Sequence, residues 1–225
     1  MKTTAIVTDI EGTTTDIQFV HRVLFPYAYE KLADFVREHA QTPPLAPILE
    51  QAREELGDPD ADLETLITAF RHWIEQDRKV TPLKTLQGLI WVQGYSQEDF
   101  KGHLYEDAYR HLERWHRDGI GLYVFSSGSV RAQKLLFGYS DFGDLTPWFS
   151  GYFDTTTGPK RDADAYRQIV ATIGCPANEI LFLSDVVEEL DAAREAGLRT
   201  CLLARDEKPE EPGHPVAATF DEISV

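Results

Sequence analysis

Four short runs of the chain are apolar almost without interruption: Ala5 to Ile10, Gly121 to Ser126, Ile180 to Ser184 and Arg199 to Leu203. They are rich in β-branched or large side chains and lack the alternation of a half-exposed strand. That is the pattern of strands covered on both faces. A weaker run at Gly151 to Phe153 predicts one more strand. Between these runs the period becomes helical. Tyr166, Ile169, Val170 and Ile173 share a stripe, with Asp162 or Asp164 placed to cap its start. Leu190, Ala193 and Ala196 form a shorter stripe closed by Gly197. The alternation predicts an α/β fold, an open and mostly parallel sheet with helices on both faces.

One stretch breaks the rhythm. From the first strand to Gly121 there is no strand pattern, only helical stripes. Val20, Val23, Leu24 and Tyr27 form one, continued by Phe35 and Val36. Leu45, Ile48, Leu49 and Ala52 form a second, and Leu63, Leu66, Ile67, Phe70 and Ile74 a third. A parallel crossover needs only about a dozen residues. Most of this stretch is therefore surplus to the sheet and reads as an inserted helical cap. The expected division is a core of residues 1–16 and 106–225 with a cap of 17–105. The charged, Pro-rich run from Arg205 to Pro215 predicts a surface loop.

The polar residues that end the strands are the informative ones. The first strand runs into Asp9 and Glu11, then Gly12-Thr13-Thr14-Thr15-Asp16. The second runs into Ser126-Ser127-Gly128-Ser129, and the next into Ser184-Asp185 with Glu188 and Glu189. Lys160 falls between the weak strand and the helix after it. Taken singly, each has an ordinary explanation: an Asp caps a helix or makes a turn, and a Ser-Ser-Gly starts a helix. Together they matter, because ligands of open parallel sheets bind outside the carboxyl ends of the strands.

Charge sharpens the picture. The chain carries a formal net charge of −16, which argues against nucleic acid and anionic membrane surfaces as partners. A phosphorylated substrate would be repelled too, unless positive charge is supplied locally. Each carboxylate contact at about 4 Å costs roughly 4 kcal/mol at an effective dielectric near 20. Magnesium suits such an edge, since it takes one or two carboxylates, waters and a phosphate oxygen. Asp9 and Asp185 are its natural ligands, and Lys160 supplies a second positive charge. The Ser126 hydroxyl and the amides of Ser127 and Gly128 suit the remaining phosphate oxygens. These features predict a magnesium-dependent phosphatase for a small phosphate ester, with Asp9 attacking phosphorus. Two cysteines, Cys175 and Cys201, are too few for a disulfide framework and give no zinc pair. Asp9 interrupts any signal-peptide core, and no apolar run is long enough to span a bilayer. The expectation is a cytoplasmic monomer in a reducing compartment.

Asp9-Ile10-Glu11-Gly12-Thr13-Thr14 resembles the first motif of the haloacid dehalogenase superfamily. Phe125-Ser126-Ser127-Gly128 resembles its second, Lys160 its third, and Ser184-Asp185 with Glu189 its fourth. Phosphatases of that superfamily usually carry Asp where this chain has Glu11. Glu11 together with Phe19 to Ala28, Leu86-Gln87-Gly88-Leu89-Ile90-Trp91, Gly94-Tyr95 and Gly102-His103-Leu104-Tyr105 is similar to the enolase-phosphatase E1 (acireductone synthase) family. The resemblance runs from Thr4 to about Leu203.

The resemblance implies a methionine-salvage enzyme that enolises 2,3-diketo-5-methylthiopentyl-1-phosphate and then removes its phosphate, using Mg2+. It implies Asp9, Glu11 and Asp185 as metal residues, and Ser126, Ser127 and Lys160 as substrate-binding residues. Asp9 and Glu11 are then the catalytic pair. As a group, Trp91, Tyr95 and His103 are expected to contact the methylthio tail from the cap, although each taken singly reads first as cap core. Two other readings compete: a capped phosphatase for a sugar phosphate or phosphoglycolate, and a receiver-type phospho-acceptor module.

Overall fold

Six parallel strands run side by side in the order β3-β2-β1-β4-β5-β6. They are β1 (Ala5–Thr8), β2 (Gly121–Phe125), β3 (Phe149–Phe153), β4 (Ile180–Ser184), β5 (Arg199–Leu203) and β6 (Val216–Ala217). The structure, a computed structural model, describes residues 2–205 and 213–225. The sheet belongs to a unit of Met1–Ile17 and Lys101–Val225, and a second unit comprises Gln18–Phe100.

The central strands are covered on both faces, as their composition requires. Ile6 and Val7 of β1 and Phe182 of β4 have no exposed surface. Helices α6 (Glu106–Arg117), α7 (Val130–Gly138), α8 (Ala163–Ile173) and α9 (Val187–Glu195) supply the cover. Asp162 caps α8 by accepting from Asp164 N at 2.9 Å. Gly174 closes that helix in the left-handed region, at φ 78°. Thr8 pairs with Val124 and with Leu183, so Asp9, Ser126 and Ser184-Asp185 leave the sheet at one edge.

Several details differ from the sequence pattern. β1 ends at Thr8 rather than Ile10, because Ile10 O turns to accept the amides of Thr13, Thr14 and Thr15. β3 starts at Phe149, two residues before its predicted start, with an irregularity opposite Leu122/Tyr123. β6 escapes notice because two residues make no periodic run. Most of the predicted loop from Arg205 to Pro215 lies outside the described residues, but Arg205 itself is half-buried.

The second unit is helical: α2 (Phe25–His39), α3 (Ala46–Leu56), α4 (Leu63–Glu75) and α5 (Thr81–Ser96). It is entered by α1 (Ile17–Phe19) and a π-helical turn, Val20–Leu24. Its core gathers Leu32, Val36, Leu45, Leu66, Phe70 and Leu86. The π turn shifts the helical phase, so α2 buries Ala28, Leu32, Ala33 and Val36, while Val20, Val23 and Tyr27 stay half-buried. The return to the sheet comes earlier than residue 105. Gly102 bridges Ser140, Thr15 Oγ1 donates to His103 O at 2.8 Å, and Tyr105 N donates to Thr14 O at 2.9 Å. His103 therefore lies in the α/β unit, a correction to its expected place in the cap; an edge bridge leaves no periodic signal. Among the described residues, no helix is long and apolar enough to cross a membrane.

Candidate active site at the carboxyl edge of the sheet

Asp9 is the first residue past β1 and is 5% exposed. Its amide still bonds Leu183 O at 2.9 Å, and its carbonyl accepts from Thr8 Oγ1 at 2.9 Å. The backbone is thus pinned on both sides of the side chain. The carboxylate Oδ1 accepts from Lys160 Nζ at 2.7 Å. The same ammonium reaches Glu189 Oε2 at 2.6 Å, and that oxygen also accepts from Ser184 Oγ at 3.0 Å. Tyr166 fixes the lysine from behind by donating its hydroxyl to Lys160 O at 2.7 Å. One cation between two carboxylates, all nearly buried, is held by β1, the β3–α8 loop and α9.

The electrostatics follow from that crowding. Burial alone would lower the Lys160 pKa, but the Asp9 and Glu189 carboxylates outweigh it and raise it. The lysine is therefore charged. Glu189 is pushed up by burial first and then by Asp9. The Tyr166 hydroxyl is held far above its ordinary value by burial, then by Glu189 and Asp9. Removing the cation would leave two buried carboxylates facing each other, the costly case for a buried ion pair.

Gly12 and Asp185 meet with almost no clearance. Gly12 has φ 73°, which favours glycine, and a Cβ placed on it would lie 2.0 Å from Asp185 Oδ2. The Asp185 carboxyl is pushed up to about 6, by burial and then by Asp9. Its Oδ1 is buried without a hydrogen-bonding partner. Such an oxygen is expensive unless a cation or donor completes it. Magnesium fits these residues: carboxylates of Asp9 and Asp185, an orphaned oxygen, and a turn pressed close by a glycine. Among the described residues no group of three or more His, Cys, Asp or Glu is arranged to hold a metal. The ion would take the carboxylates of Asp9 and Asp185, with backbone, water and substrate oxygens making up the rest.

The second loop brings hydroxyls. Ser126 is 2% exposed, and its Oγ accepts from Gly128 N at 3.1 Å. Its own hydrogen is thereby left to donate to an anion, while the Gly128 amide is already used. Ser127 is exposed. Gln133 braces the loop by donating to Gly128 O and Phe153 O, both at 2.8 Å. Asp154 ties it to the next loop by accepting from Val130 N and Thr156 N. Neither Gln133 nor Asp154 was legible in the pattern, since a lone polar residue on a helix or after a strand has no diagnostic spacing.

The other predicted residues fall in different places. Glu11 is half-buried and bridges Thr15 within the same turn. His103 Nδ1 accepts from Asp16 N at 3.1 Å, which assigns the proton of the neutral ring to Nε2. Trp91 and Tyr95 lie in the helical unit. Trp91 donates to Leu24 O at 2.9 Å, and Tyr95 is 2% exposed and edge-on to Phe100. Cys175 and Cys201 are free thiols, Cys201 being buried. The sheet order also differs from the 2-1-3-4-5 order of receiver-type folds.

Comparison with known proteins identifies the family. Residues 3–197 match the family model of haloacid dehalogenase-like hydrolases. The chain is 57% identical over 221 residues to enolase-phosphatase E1 of Pectobacterium atrosepticum, covering 98% of this chain and 96% of that protein. It is 58% identical to enolase-phosphatase E1 of Pseudomonas aeruginosa, covering 98% of each. Among solved structures, the Unknown transcript 4 protein of Saccharomyces cerevisiae superposes with a TM-score of 0.85 at 34% identity, over 99% of this chain and 100% of that one. With relatives this similar over nearly their whole length, the chain belongs to the haloacid dehalogenase-like hydrolases and, among them, to the enolase-phosphatase E1 family.

Proposed function

We propose that this chain enolises 2,3-diketo-5-methylthiopentyl-1-phosphate and then hydrolyses its phosphate through an aspartyl-phosphate on Asp9, releasing the acireductone of methionine salvage. One observation carries this reading. In a chain 57% identical to enolase-phosphatase E1, an aspartate, a lysine and a carboxylate oxygen without a partner share one buried sheet edge.

The residues divide the work as follows. Ser126, Ser127 and Lys160 bind the phosphate oxygens, with Lys160 offsetting charge at the transferring group. Haloacid dehalogenase-like hydrolases generally use magnesium. Here Asp9 and Asp185 would hold the ion by their carboxylates and Glu11 by its backbone carbonyl. When bound, the ion supplies the positive charge that admits the phosphate and stabilises the enolate. The proton lost in enolisation sits on the carbon that bears the phosphate. The phosphate must lie against Asp9, so that carbon is close to residue 11. Glu11 takes this proton, and the electron pair forms the enolate. In transfer, an Asp9 oxygen bonds phosphorus, the P–O bond to carbon breaks, and a Glu11 carboxyl protonates the leaving oxygen. Water then attacks phosphorus and gives its proton to the Glu11 carboxylate, the bond from phosphorus to the Asp9 oxygen breaks, and phosphate leaves; Glu11 releases that proton to solvent, and the acireductone leaves as its enolate.

The test is to supply the diketo phosphate with magnesium and follow enediol absorbance together with phosphate release. Equal formation of both supports the reading. Phosphate release from sugar phosphates or phosphoglycolate, with none from the diketo phosphate, would return the capped-phosphatase alternative. A single phosphorylation without turnover would return the receiver alternative.

A further inference from the structure

The guanidinium of Arg205 sits against the turn that follows Asp9. Its Nε and Nη2 both donate to the carbonyl of Thr13, at 3.0 and 2.8 Å. Its Nη1 pairs with Asp107 Oδ2 at 3.2 Å, and Asp107 Oδ2 in turn accepts from Phe220 N at 2.7 Å. The flat face of the guanidinium lies 3.7 Å from the centre of the Tyr105 ring, and Tyr105 N bonds the next carbonyl of the turn, that of Thr14. Both charged side chains are 13% exposed. Three separate pieces of the unit therefore converge on the side chain that the end of β5 delivers: the turn at 13–14, Tyr105 with the first turn of α6, and the C-terminal segment.

The turn it grips has no slack. Gly12, bonded directly to Thr13, approaches Asp185 so closely that a single methyl group would overlap the carboxylate. Glu11 precedes it. A shift of the Thr13 carbonyl by about an ångström would change where both residues stand relative to Asp185, and displacements of that size cost about 100-fold in rate when they reach the reacting groups. We propose that Arg205 is a positioning residue for phosphate transfer, fixing the turn that carries Glu11 and Gly12 at its working distance from Asp185. The proposal rests on the reading of Asp9 as nucleophile. A guanidinium suits the task and an ammonium does not. Two parallel donors to one carbonyl, a third to a carboxylate and a flat face on a ring need a planar fork.

Arg205→Lys keeps charge and most of the stem, and so separates positioning from mere stability. With p-nitrophenyl phosphate as probe, we expect kcat to fall about 10- to 100-fold, KM to change less than about threefold, and half-saturating magnesium to rise about tenfold, in the range for lost supporting contacts. Melting with magnesium and beryllofluoride, a mimic of the phosphorylated aspartate, gives a readout without turnover. Wild type gains stability from the pair, and Arg205→Lys gains clearly less. Arg199→Lys, at the opposite end of β5 and bonded to Thr3 Oγ1 at 2.6 Å, is the control. It should lose stability alone. Wild-type kcat, magnesium dependence and beryllofluoride protection in Arg205→Lys would overturn the proposal, whatever its melting temperature. If Arg205→Lys does not fold, the nearly isosteric Asp107→Asn is read the same way, with a smaller loss expected. An active Asp9→Asn would overturn the underlying reading and this proposal with it. A dead Asp9→Asn beside a fully active Arg205→Lys overturns the proposal alone.

Discussion

Replacing Gly12 with alanine adds one methyl group at the tightest point of the site. Two costs follow, and they can be separated. The first is conformational: a φ of 73° suits glycine, and an L residue there costs about 1–2 kcal/mol. The second is steric. The new carbon would stand 2.0 Å from Asp185 Oδ2, whereas ordinary contact begins at 3.4 Å, so turn and carboxylate must part by 3.4 − 2.0, about 1.4 Å. The same displacement moves Asp185 away from Asp9, with which it would share the metal. Gly12→Ala should then lower kcat by at least about 100-fold and weaken magnesium activation. Gly174→Ala isolates the first cost. It has φ 78° and nothing within 4 Å of the added carbon. It should lose similar stability, read by urea melts, and keep its rate. If Gly12→Ala also keeps wild-type kcat and magnesium dependence, the close approach to Asp185 has no part in the reaction.

Lys160→Met should abolish phosphate release and destabilise the fold by about 3–5 kcal/mol, because Asp9 and Glu189 lose the cation between them; wild-type urea midpoints would place the lysine outside the site's electrostatics. Asp185 is raised to about 6 and Glu189 is also raised, so the folded protein holds more protons than the unfolded chain. Their contribution to stability is complete below about pH 4 and is lost as pH climbs through about 6 for Asp185 and about 7 for Glu189. Magnesium competes with the Asp185 proton, so the melting-temperature gain on adding it should grow from about pH 5 to about pH 8; a gain independent of pH would refute this. Glu11→Gln should leave the diketone unreacted, since neither enolisation nor transfer has its proton carrier. Accumulation of the phosphorylated enol in that variant would place the base elsewhere.

The sheet was legible because buried parallel strands are apolar runs, and the site's position was legible because polar residues interrupt those runs where they end. Asp9, Ser126, Lys160 and Asp185 could be assigned to one edge on that ground alone. The contacts inside the edge could not. Nothing in the spacing of residues 9, 160 and 189 says that one ammonium spans two carboxylates. Gly12 reads as any turn glycine until Asp185 is seen against it. Arg205 stands at the head of a charged, Pro-rich run and looks solvated. Its work is done on a backbone carbonyl of Thr13, and such contacts leave no mark in a hydrophobic pattern. The phase of α2 escapes the pattern for a related reason, since a π-helical turn shifts the stripe without changing composition.

The central claim is that phosphorus passes through the side chain of Asp9. It is tested most directly by quenching the enzyme during turnover of the diketo phosphate, reducing any acyl phosphate with borohydride, and locating the modified residue by peptide mass. Modification of Asp9, in proportion to enzyme, and its absence from an inactive but folded Asp9→Asn variant, is the predicted result. Modification at another residue, or steady turnover by Asp9→Asn, would contradict it.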